Sequence, residues 1–128
     1  MSERTYPAPP VNPETEAFWA AAAAGRLMIG RCRACGQAHF YPRSLCPICF
    51  GGADLEPALG EGTIYTVSVQ RRGAGAPYVI GYVTLAEGPA VLTGFVDCDF
   101  DALAIGQAVR LAWRPSEGGP PVPVWAPA

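Results

Sequence analysis

Four of the five cysteines in this chain form two Cys-x-x-Cys pairs that stand ten residues apart. The first pair is Cys32 with Cys35, and the second is Cys46 with Cys49. Two cysteines at this spacing share one tight turn, so two such turns can present four thiolates tetrahedrally, as a structural zinc ion requires. The gap is shorter than the about 15 to 20 residues of the usual zinc pattern, which indicates a compact ribbon.

A redox Cys-x-x-Cys motif and a pair of disulfide bonds are the alternatives to this metal site. A redox motif needs one pair beside a βαβ pattern, and the sequence shows no such pattern. Disulfides are rare in the reducing cytosol, where we expect this protein because it has no secretory leader and no apolar run near the ~20 residues of a membrane span. We therefore predict one structural Zn2+ ion, bound by all four cysteines and without a catalytic role because no coordination position stays open.

Composition limits the size of the fold and the kinds of partner. The chain has 128 residues, half of them hydrophobic, which suffices for one core of ordinary size and a small metal-stabilised appendage. The net charge is −2, and residues 1–52 carry five Arg against three Glu while the remainder carries four Arg against eight acids. This balance argues against a nucleic-acid partner, which usually requires a basic surplus, and the absence of lysine excludes Schiff-base chemistry.

Residues 1–28 are predicted to form an extended arm followed by one short helix. Asn12 is a good N-cap and Gly25 a natural stop, so a helix of about three turns is expected between them. Phe18 and Trp19 project from its alanine-rich surface. These rings either cover the ribbon or barrel of the same chain, or they dock on another subunit.

Residues 29–52 are predicted to form the zinc ribbon. One strand leads into the first knuckle at residues 27–29, and a second leads away from it at residues 37–41, so the two form a hairpin. Between the knuckles, the segment Tyr41-Pro42-Arg43 places an aromatic ring and a guanidinium on a loop that the metal would hold in place. Such a loop is well suited to binding.

Residues 53–115 have the alternating, β-branched pattern of strands and are predicted to form a barrel. Four strands are expected, over residues 63–69, 78–85, 90–96 and 107–114. A flexible turn is expected after Arg71, and a short turn or helix before the last strand. Three consecutive strands, a crossover and a returning strand suggest a Greek-key barrel of the OB type. The Pro/Gly-rich tail, residues 116–128, is predicted to be a loop or extended arm.

The sequence contains few residues that could act in catalysis. His39 is the single histidine and has no nucleophile near it in sequence, and Cys98 is left over once the two knuckles are formed. Without a nearby base, Cys98 is not expected to act as a nucleophile. The chain also lacks a Gly-rich phosphate loop and a Gly-x-Ser-x-Gly elbow. We therefore predict no catalytic residue.

Taken together, these features resemble the acyl-CoA-associated family, in which a rubredoxin-like zinc ribbon precedes a C-terminal OB-fold. The resemblance spans residues 12–114 and rests on motifs in one order: Gly25-Arg26-Leu27, Cys32-x-x-Cys35-Gly36, Phe40-Tyr41-Pro42-Arg43, Cys46-Pro47-x-Cys49, Gly62-Thr63-Ile64-Tyr65, Pro77-Tyr78 and Ile105-Gly106-Gln107-Ala108-Val109. The chain departs from the family at Phe50, where a glycine usually follows the second cysteine pair.

The resemblance implies a function in a heteromeric complex. Members of this family are typically small partners of thiolase-like enzymes, including lipid-transfer-type thiolases that act as aldolases in steroid side-chain degradation, acetyl-CoA thiolases and polyketide-type acetyltransferases. In these complexes the partner supplies the chemistry. We therefore expect a non-catalytic, CoA-thioester-associated subunit that supports a thiolase-like enzyme and helps form its substrate channel, with acyl-CoA as a candidate shared ligand.

Four residues are the expected contacts with the partner or with CoA: Trp19, Phe40, Tyr41 and Arg43. Aromatic and arginine side chains on ordered elements are the usual anchors of protein interfaces. A guanidinium suits a CoA phosphate and a partner carboxylate equally well, so both ligands stay open for Arg43.

Two other functions compete with this interpretation. An OB module could bind single-stranded nucleic acid by stacking bases on Tyr65, Tyr78 and Tyr82, although the acidic barrel half argues against it. An independent acyl-CoA hydrolase would need a base or nucleophile that the sequence does not reveal.

Overall fold

The structure is a computed structural model that describes residues 5–71 and 76–128. Within these residues it is mainly β with one α-helix, as the sequence predicts. The elements are α1 (Glu16–Ala23), β1 (Met28–Cys32), β2 (Ala38–His39), β3 (Ala53–Pro57), β4 (Glu61–Gln70), β5 (Tyr78–Leu85), β6 (Ala90–Gly94), a 3-10 helix (Phe100–Ala102), β7 (Ala108–Ser116) and β8 (Gly119–Pro127). The turn expected after Arg71 falls on residues 72–75, outside the described residues. No helix of the described ranges has the length and apolar character needed to cross a membrane.

The ribbon is a three-stranded antiparallel sheet in the order β2-β1-β3. The predicted hairpin of β1 and β2 is confirmed, with Gly30 opposite His39. Strand β3 was not predicted, because its sequence Ala-Asp-Leu-Glu-Pro lacks β-branched residues and carries two acids. The acid Glu56 pairs with Arg31 of β1 at 2.7 Å, so a cross-strand ion pair replaces the missing apolar alternation.

The barrel is a five-stranded antiparallel sheet in the order β6-β5-β4-β7-β8. It is brought almost to closure where the residues after β6 meet β8: Phe95 forms a parallel bridge with Trp125, and the Val96 amide donates to the Trp125 carbonyl at 2.9 Å. Three sequential strands, a crossover to the far side of β4 and a return to β6 give the Greek-key OB topology. The predicted fold class is thus confirmed.

The prediction of a loop or extended arm over residues 116–128 is wrong, because Gly119–Pro127 is the fifth barrel strand. The misleading signal is its prolines, which lack the amide needed in a sheet ladder. Pro123 and Pro127 occupy alternate positions, in phase with Trp125, whose carbonyl points away from β7 and towards Val96. Pro123 and Pro127 therefore lack an amide only on the side of β8 that faces away from β7, so they remove no hydrogen bond from the ladder to β7.

Helix α1 covers the junction between ribbon and barrel, where it packs against β8 and β1. It is shorter than the predicted three turns. The Asn12 side chain accepts hydrogen bonds from the amides of Glu14 and Thr15 at 3.0 and 3.1 Å, which makes a preceding turn and delays the helix to Glu16. Gly25 ends the helical segment with φ +80°, as its sequence position predicts.

Candidate functional site

The four knuckle cysteines converge at one end of the ribbon. Their Sγ atoms all lie within 4.8 Å of one another, with 3.5 Å between Cys32 and Cys49 and 3.7 Å between Cys35 and Cys46. A tetrahedral ion with Zn–S bonds of about 2.3 Å needs sulfur separations of roughly 3.8 Å. A disulfide would need about 2.05 Å. The cluster therefore fits a metal ion and not two disulfides, and these four residues would hold the predicted zinc.

The two knuckles have matching backbones. In the first, the amide of Gly36 donates to the carbonyl of Cys32 at 3.1 Å; in the second, the amide of Phe50 donates to the carbonyl of Cys46 at 2.9 Å. Gly51, next to the second knuckle, leaves the sulfurs room, since a Cβ there would lie 3.2 Å from the Cys32 Sγ. The local sequence thus folds each pair into a turn that directs both sulfurs to one point.

Backbone amides stabilise negative charge on two of the sulfurs. The amides of Cys35 and Ala34 each donate to the Cys32 Sγ at 3.3 Å, and together they lower the pKa of Cys32 to about 6. The amides of Cys49 and Ile48 likewise lower the pKa of Cys46.

Cys35 shows the opposite behaviour. A backbone amide from Gln37 lowers its pKa, but burial and the neighbouring thiols of Cys32, Cys49 and Cys46 outweigh that effect and raise it to about 12. The cluster therefore resists carrying four thiolates by itself. A bound divalent cation would offset the repulsion among the four thiolates. Zinc at this position would also stabilise the fold, because it would link the two knuckles.

An aromatic cluster lies where α1 meets the ribbon, and it brings three predicted contact residues together. The ring of Phe18 packs at 4.8 Å from Trp19, 5.7 Å from Phe40 and 5.5 Å from Tyr41, measured between centroids. The Trp19 Nε1–H donates to the Tyr41 hydroxyl at 3.3 Å. Trp19 is only 7% exposed, so most of its surface is used inside this chain.

Beside this cluster, an open cleft of about 270 Å³ separates the ribbon from the barrel. Phe40 and Tyr41 form one wall, Leu92 of β6 and Pro123 of β8 form the other, and Tyr6 of the N-terminal arm lies at its edge. The lining is mainly apolar and aromatic, so the cleft can accept an apolar group. No local sequence pattern reveals this cleft, because its walls come from residues up to 83 positions apart, Phe40 and Pro123, which only the folded barrel brings together.

Arg43, the fourth predicted contact, lies apart from the aromatic cluster. It is exposed and lines a polar cavity of about 200 Å³ with Glu14, Ser44 and His39. Glu14 accepts hydrogen bonds from the Ser44 amide at 2.6 Å and hydroxyl at 2.9 Å, which lower its pKa. Among the described residues no carboxylate stands within ion-pair distance of Arg43. Its guanidinium is therefore available to a ligand.

Neither His39 nor Cys98 is set up for catalysis within the described residues. His39 is buried with its ring over Gly30, and neither ring nitrogen has a hydrogen-bond partner there. Burial, with a smaller effect of Arg43, lowers its pKa. Burial also raises the pKa of Cys98, and the carboxylates of Asp97 and Asp99 add to the shift, so its thiol stays protonated.

The chain matches two family models in succession. Residues 19–56 match the ChsH2 rubredoxin-like zinc ribbon domain, and residues 56–114 match the ChsH2 C-terminal OB-fold domain. The second match stops before β8, although this strand completes the barrel.

Curated relatives include proteins with several names. A probable enoyl-CoA hydratase alpha subunit of Thermomonospora curvata is 33% identical over 95% of this chain, which spans only 40% of that protein's length. A DUF35 domain-containing scaffold protein of Methanothermobacter thermautotrophicus is 36% identical, covering 69% of this chain and 71% of that protein. The benzoylsuccinyl-CoA thiolase subunit BbsA of Thauera aromatica is 36% identical over 44% of this chain and 42% of its own.

Among solved structures, the Ltp2-ChsH2(DUF35) aldolase contains a chain with the same fold. It superposes with a TM-score of 0.83 and 31% identity, covering 93% of this chain and 98% of that one. The cysteine cluster, the ribbon and the five-stranded barrel thus occur together, in the same order as in the matched models. The chain therefore belongs to the ChsH2/DUF35 family, whose members join a rubredoxin-like zinc ribbon to a C-terminal OB-fold.

Proposed function

We propose that this chain is an accessory subunit that binds a thiolase-like enzyme in the cytoplasm and helps form that enzyme's substrate channel. The observation that carries the proposal is the apolar cleft between ribbon and barrel, which has an aromatic wall and no carboxylate, histidine or cysteine among its described lining residues. The names of relatives support it, since one is a thiolase subunit, one a scaffold protein and one part of an aldolase complex. A binding surface without catalytic groups is what a non-catalytic subunit needs.

Phe40, Tyr41 and Arg43 make the proposed contacts with the partner or with the CoA thioester. Phe40 and Tyr41 are half-buried and pack against Phe18, so each ring is partly ordered by the chain and partly exposed. Such pre-ordered aromatic side chains bind at a low entropic cost. Trp19 contributes indirectly, since its hydrogen bond orients the Tyr41 hydroxyl.

The size of the cleft indicates how acyl-CoA would be shared. Sites that enclose a whole drug-sized ligand have volumes of about 300 to 1,000 Å³. The cleft, at about 270 Å³, is below this range and open to solvent, so it suits one apolar side chain or an acyl group. A complete acyl-CoA would need walls from both subunits, with Arg43 as the candidate phosphate ligand on this chain.

Co-expression with the thiolase-like proteins encoded in the source genome tests the proposal. We expect one of them to co-purify in a stable ratio and to turn over its thioester at least about tenfold faster in the complex than alone. The isolated chain should show no turnover of acyl-CoA esters. No association with any of these proteins, or hydrolysis by the chain that disappears in Cys98→Ala or His39→Ala, would contradict the proposal.

Single-stranded nucleic-acid binding is the second candidate, because Tyr65 and Tyr82 are exposed on neighbouring strands of the barrel. However, β4, β5 and β6 carry a single charged side chain, and it is the acid Glu61. Phosphate backbones need cations, so this face suits a nucleic acid poorly. Fluorescence anisotropy with a labelled 15-nucleotide oligonucleotide at low salt would distinguish the two functions.

A further inference from the structure

The two zinc knuckles differ at one equivalent position. Gly36 follows the first cysteine pair with φ +75°, and Phe50 follows the second with φ +63°. Both residues donate their amide to the carbonyl of the first cysteine in their pair. Each knuckle therefore has a left-handed backbone at this position, but only the first knuckle has a glycine there.

Packing of the Phe50 ring within its own chain does little to offset this backbone strain. A left-handed backbone is unfavourable for any residue with a Cβ, and for a bulky side chain it is an outlier. A strained conformation persists where the surroundings impose it, and it is often associated with a functional site. The Phe50 ring is 73% exposed, so packing within this chain does not explain its presence.

Two further apolar side chains accompany Phe50 on the same short loop. Leu45 and Ile48 are each more than half exposed. The loop is ordered by a bridge from Leu45 to Gly52 and by the hydrogen bond from the Cys46 amide to the Gly51 carbonyl at 2.7 Å. We call Leu45, Ile48 and Phe50 the knuckle tip.

We propose that the knuckle tip is a docking surface that inserts into an apolar pocket of the thiolase-like partner. This inference rests on the proposed function and adds a second contact surface to the aromatic cleft. Exposed apolar and aromatic side chains on an already ordered loop are well suited to anchor an interface, since little further ordering is needed on binding.

The charge of the segment supports this choice of partner. Residues 41–52 contain one cation, Arg43, and no acid, and the carboxylate of Glu14 accepts hydrogen bonds from Ser44 of the same segment, so the surface there is close to neutral. A single cation is too little for a polyanion, which argues against nucleic acid. Relatives named as a thiolase subunit and as part of an aldolase complex make an enzyme of that class the expected protein partner. A near-neutral, apolar surface is complementary to an apolar pocket on such a partner, and a second copy of this chain is the competing occupant.

Replacement of Phe50 by glycine tests the inference, because it should change stability and binding in opposite directions. Phe50→Gly removes the ring and relieves the strain, so the chain should keep its zinc and unfold at the same temperature or a higher one. The Kd for the thiolase-like protein that co-purifies with the wild-type chain should rise at least about tenfold, measured by isothermal titration calorimetry. Ile48→Ser, which leaves the backbone conformation unchanged, should also weaken binding.

Matched controls come from apolar side chains that are equally exposed elsewhere. Leu59 and Ile105 are 74% and 73% exposed in the barrel half of the chain, and alanine at either position should leave the Kd unchanged. If Phe50→Gly and Ile48→Ser bind like the wild type, the knuckle tip is not the docking surface, although the proposed function stands. If the wild-type chain itself binds no thiolase-like protein, the proposed function fails and the inference with it. Loss of self-association in Phe50→Gly, seen by sedimentation, would overturn the inference in favour of a second copy.

Discussion

The indole Nε1–H of Trp19 donates a hydrogen bond to the hydroxyl of Tyr41, 3.3 Å away and 22 residues later in the chain. This contact joins helix α1 to the loop between the two knuckles. The ring of Phe18 packs against both side chains, so the helix fixes the position of Tyr41 at the edge of the cleft. A residue proposed to face a partner is thus oriented by one that is almost fully buried.

We predict that Tyr41→Phe lowers the free energy of unfolding by about 1 kcal/mol, because it leaves the indole N–H without its partner. Trp19→Phe should cost more, since it also removes buried surface. If the two residues are coupled, the double variant should lose less than the sum of the single losses, by about 0.5 to 1 kcal/mol. Denaturant unfolding of all four proteins measures this difference, and strict additivity would show that the contact does not contribute.

We predict one equivalent of zinc per chain, held by the four knuckle cysteines. Cys46→Ser should lose the metal and unfold the ribbon, because one thiolate and its share of the coordination energy are removed. Cys98→Ser is the matched control and should retain both zinc and fold, since Cys98 is not part of the cluster. Elemental analysis with circular dichroism checks both variants. A folded, metal-free Cys46→Ser protein would refute the structural role.

We predict that His39 makes the protein sensitive to mild acid. Its folded-state pKa lies below the ordinary 6.5, first because of burial and then because of Arg43, so the folded chain resists a proton that the unfolded chain accepts. Stability should therefore be unaffected by His39 above about pH 6.5 and should fall as the pH drops from there to the folded-state pKa. Glu14 lines the same cavity, and its hydrogen bonds from Ser44 lower the pKa of its carboxyl.

The variant His39→Phe isolates this effect, because it keeps an aromatic ring over Gly30 and has no titratable group. The difference in free energy of unfolding between wild type and variant should be constant above pH 6.5 and should change in favour of the variant below it. Both proteins keep the cysteine cluster, so loss of metal in acid affects them alike. Parallel stability curves from pH 8 to pH 5 would show that His39 is not responsible.

The features that the sequence predicts correctly depend on residues that are close together along the chain. The cysteine cluster follows from two short turns, each closed by neighbours such as Gly36, and strands β4 to β7 follow from β-branched alternation. Strands β3 and β8 depend on distant partners instead. Glu56 of β3 pairs with Arg31 of β1, and Pro123 and Pro127 are tolerated in β8 because they do not face the ladder to β7. The contact of Phe18 with Phe40 is likewise set by tertiary packing, which no local pattern encodes.

We predict that Tyr41→Ala with Arg43→Ala weakens association with the thiolase-like partner by at least about tenfold, equal to about 1.4 kcal/mol. The variant should keep its zinc and its fold, because Arg43 is exposed and Tyr41 is only half-buried. Arg110→Ala changes an exposed arginine on the barrel and is the matched control. Co-purification and titration measure the effect. Wild-type affinity in the double variant would move the functional surface away from the cleft and the polar cavity.

Strand β8 is the element for which sequence and structure lead to opposite expectations. A loose Pro/Gly-rich tail could be removed without harm, but in the structure residues 119–127 close the barrel and bury Trp125 in the same core as Phe95 and Val109. Truncation after residue 116 should therefore expose the core and the edge of β7, and the barrel should fail to fold.

Trp125→Ala is the milder test and should cost about 3 to 5 kcal/mol of stability, as expected for an aromatic side chain removed from a core. Trp113→Ala changes a half-buried tryptophan on the neighbouring strand β7 and should cost clearly less. Thermal and denaturant unfolding of the two variants, with zinc content as a check on the ribbon, measures the contrast. Equal stability of the truncated chain and the full chain would mean that β8 does not close the barrel in solution.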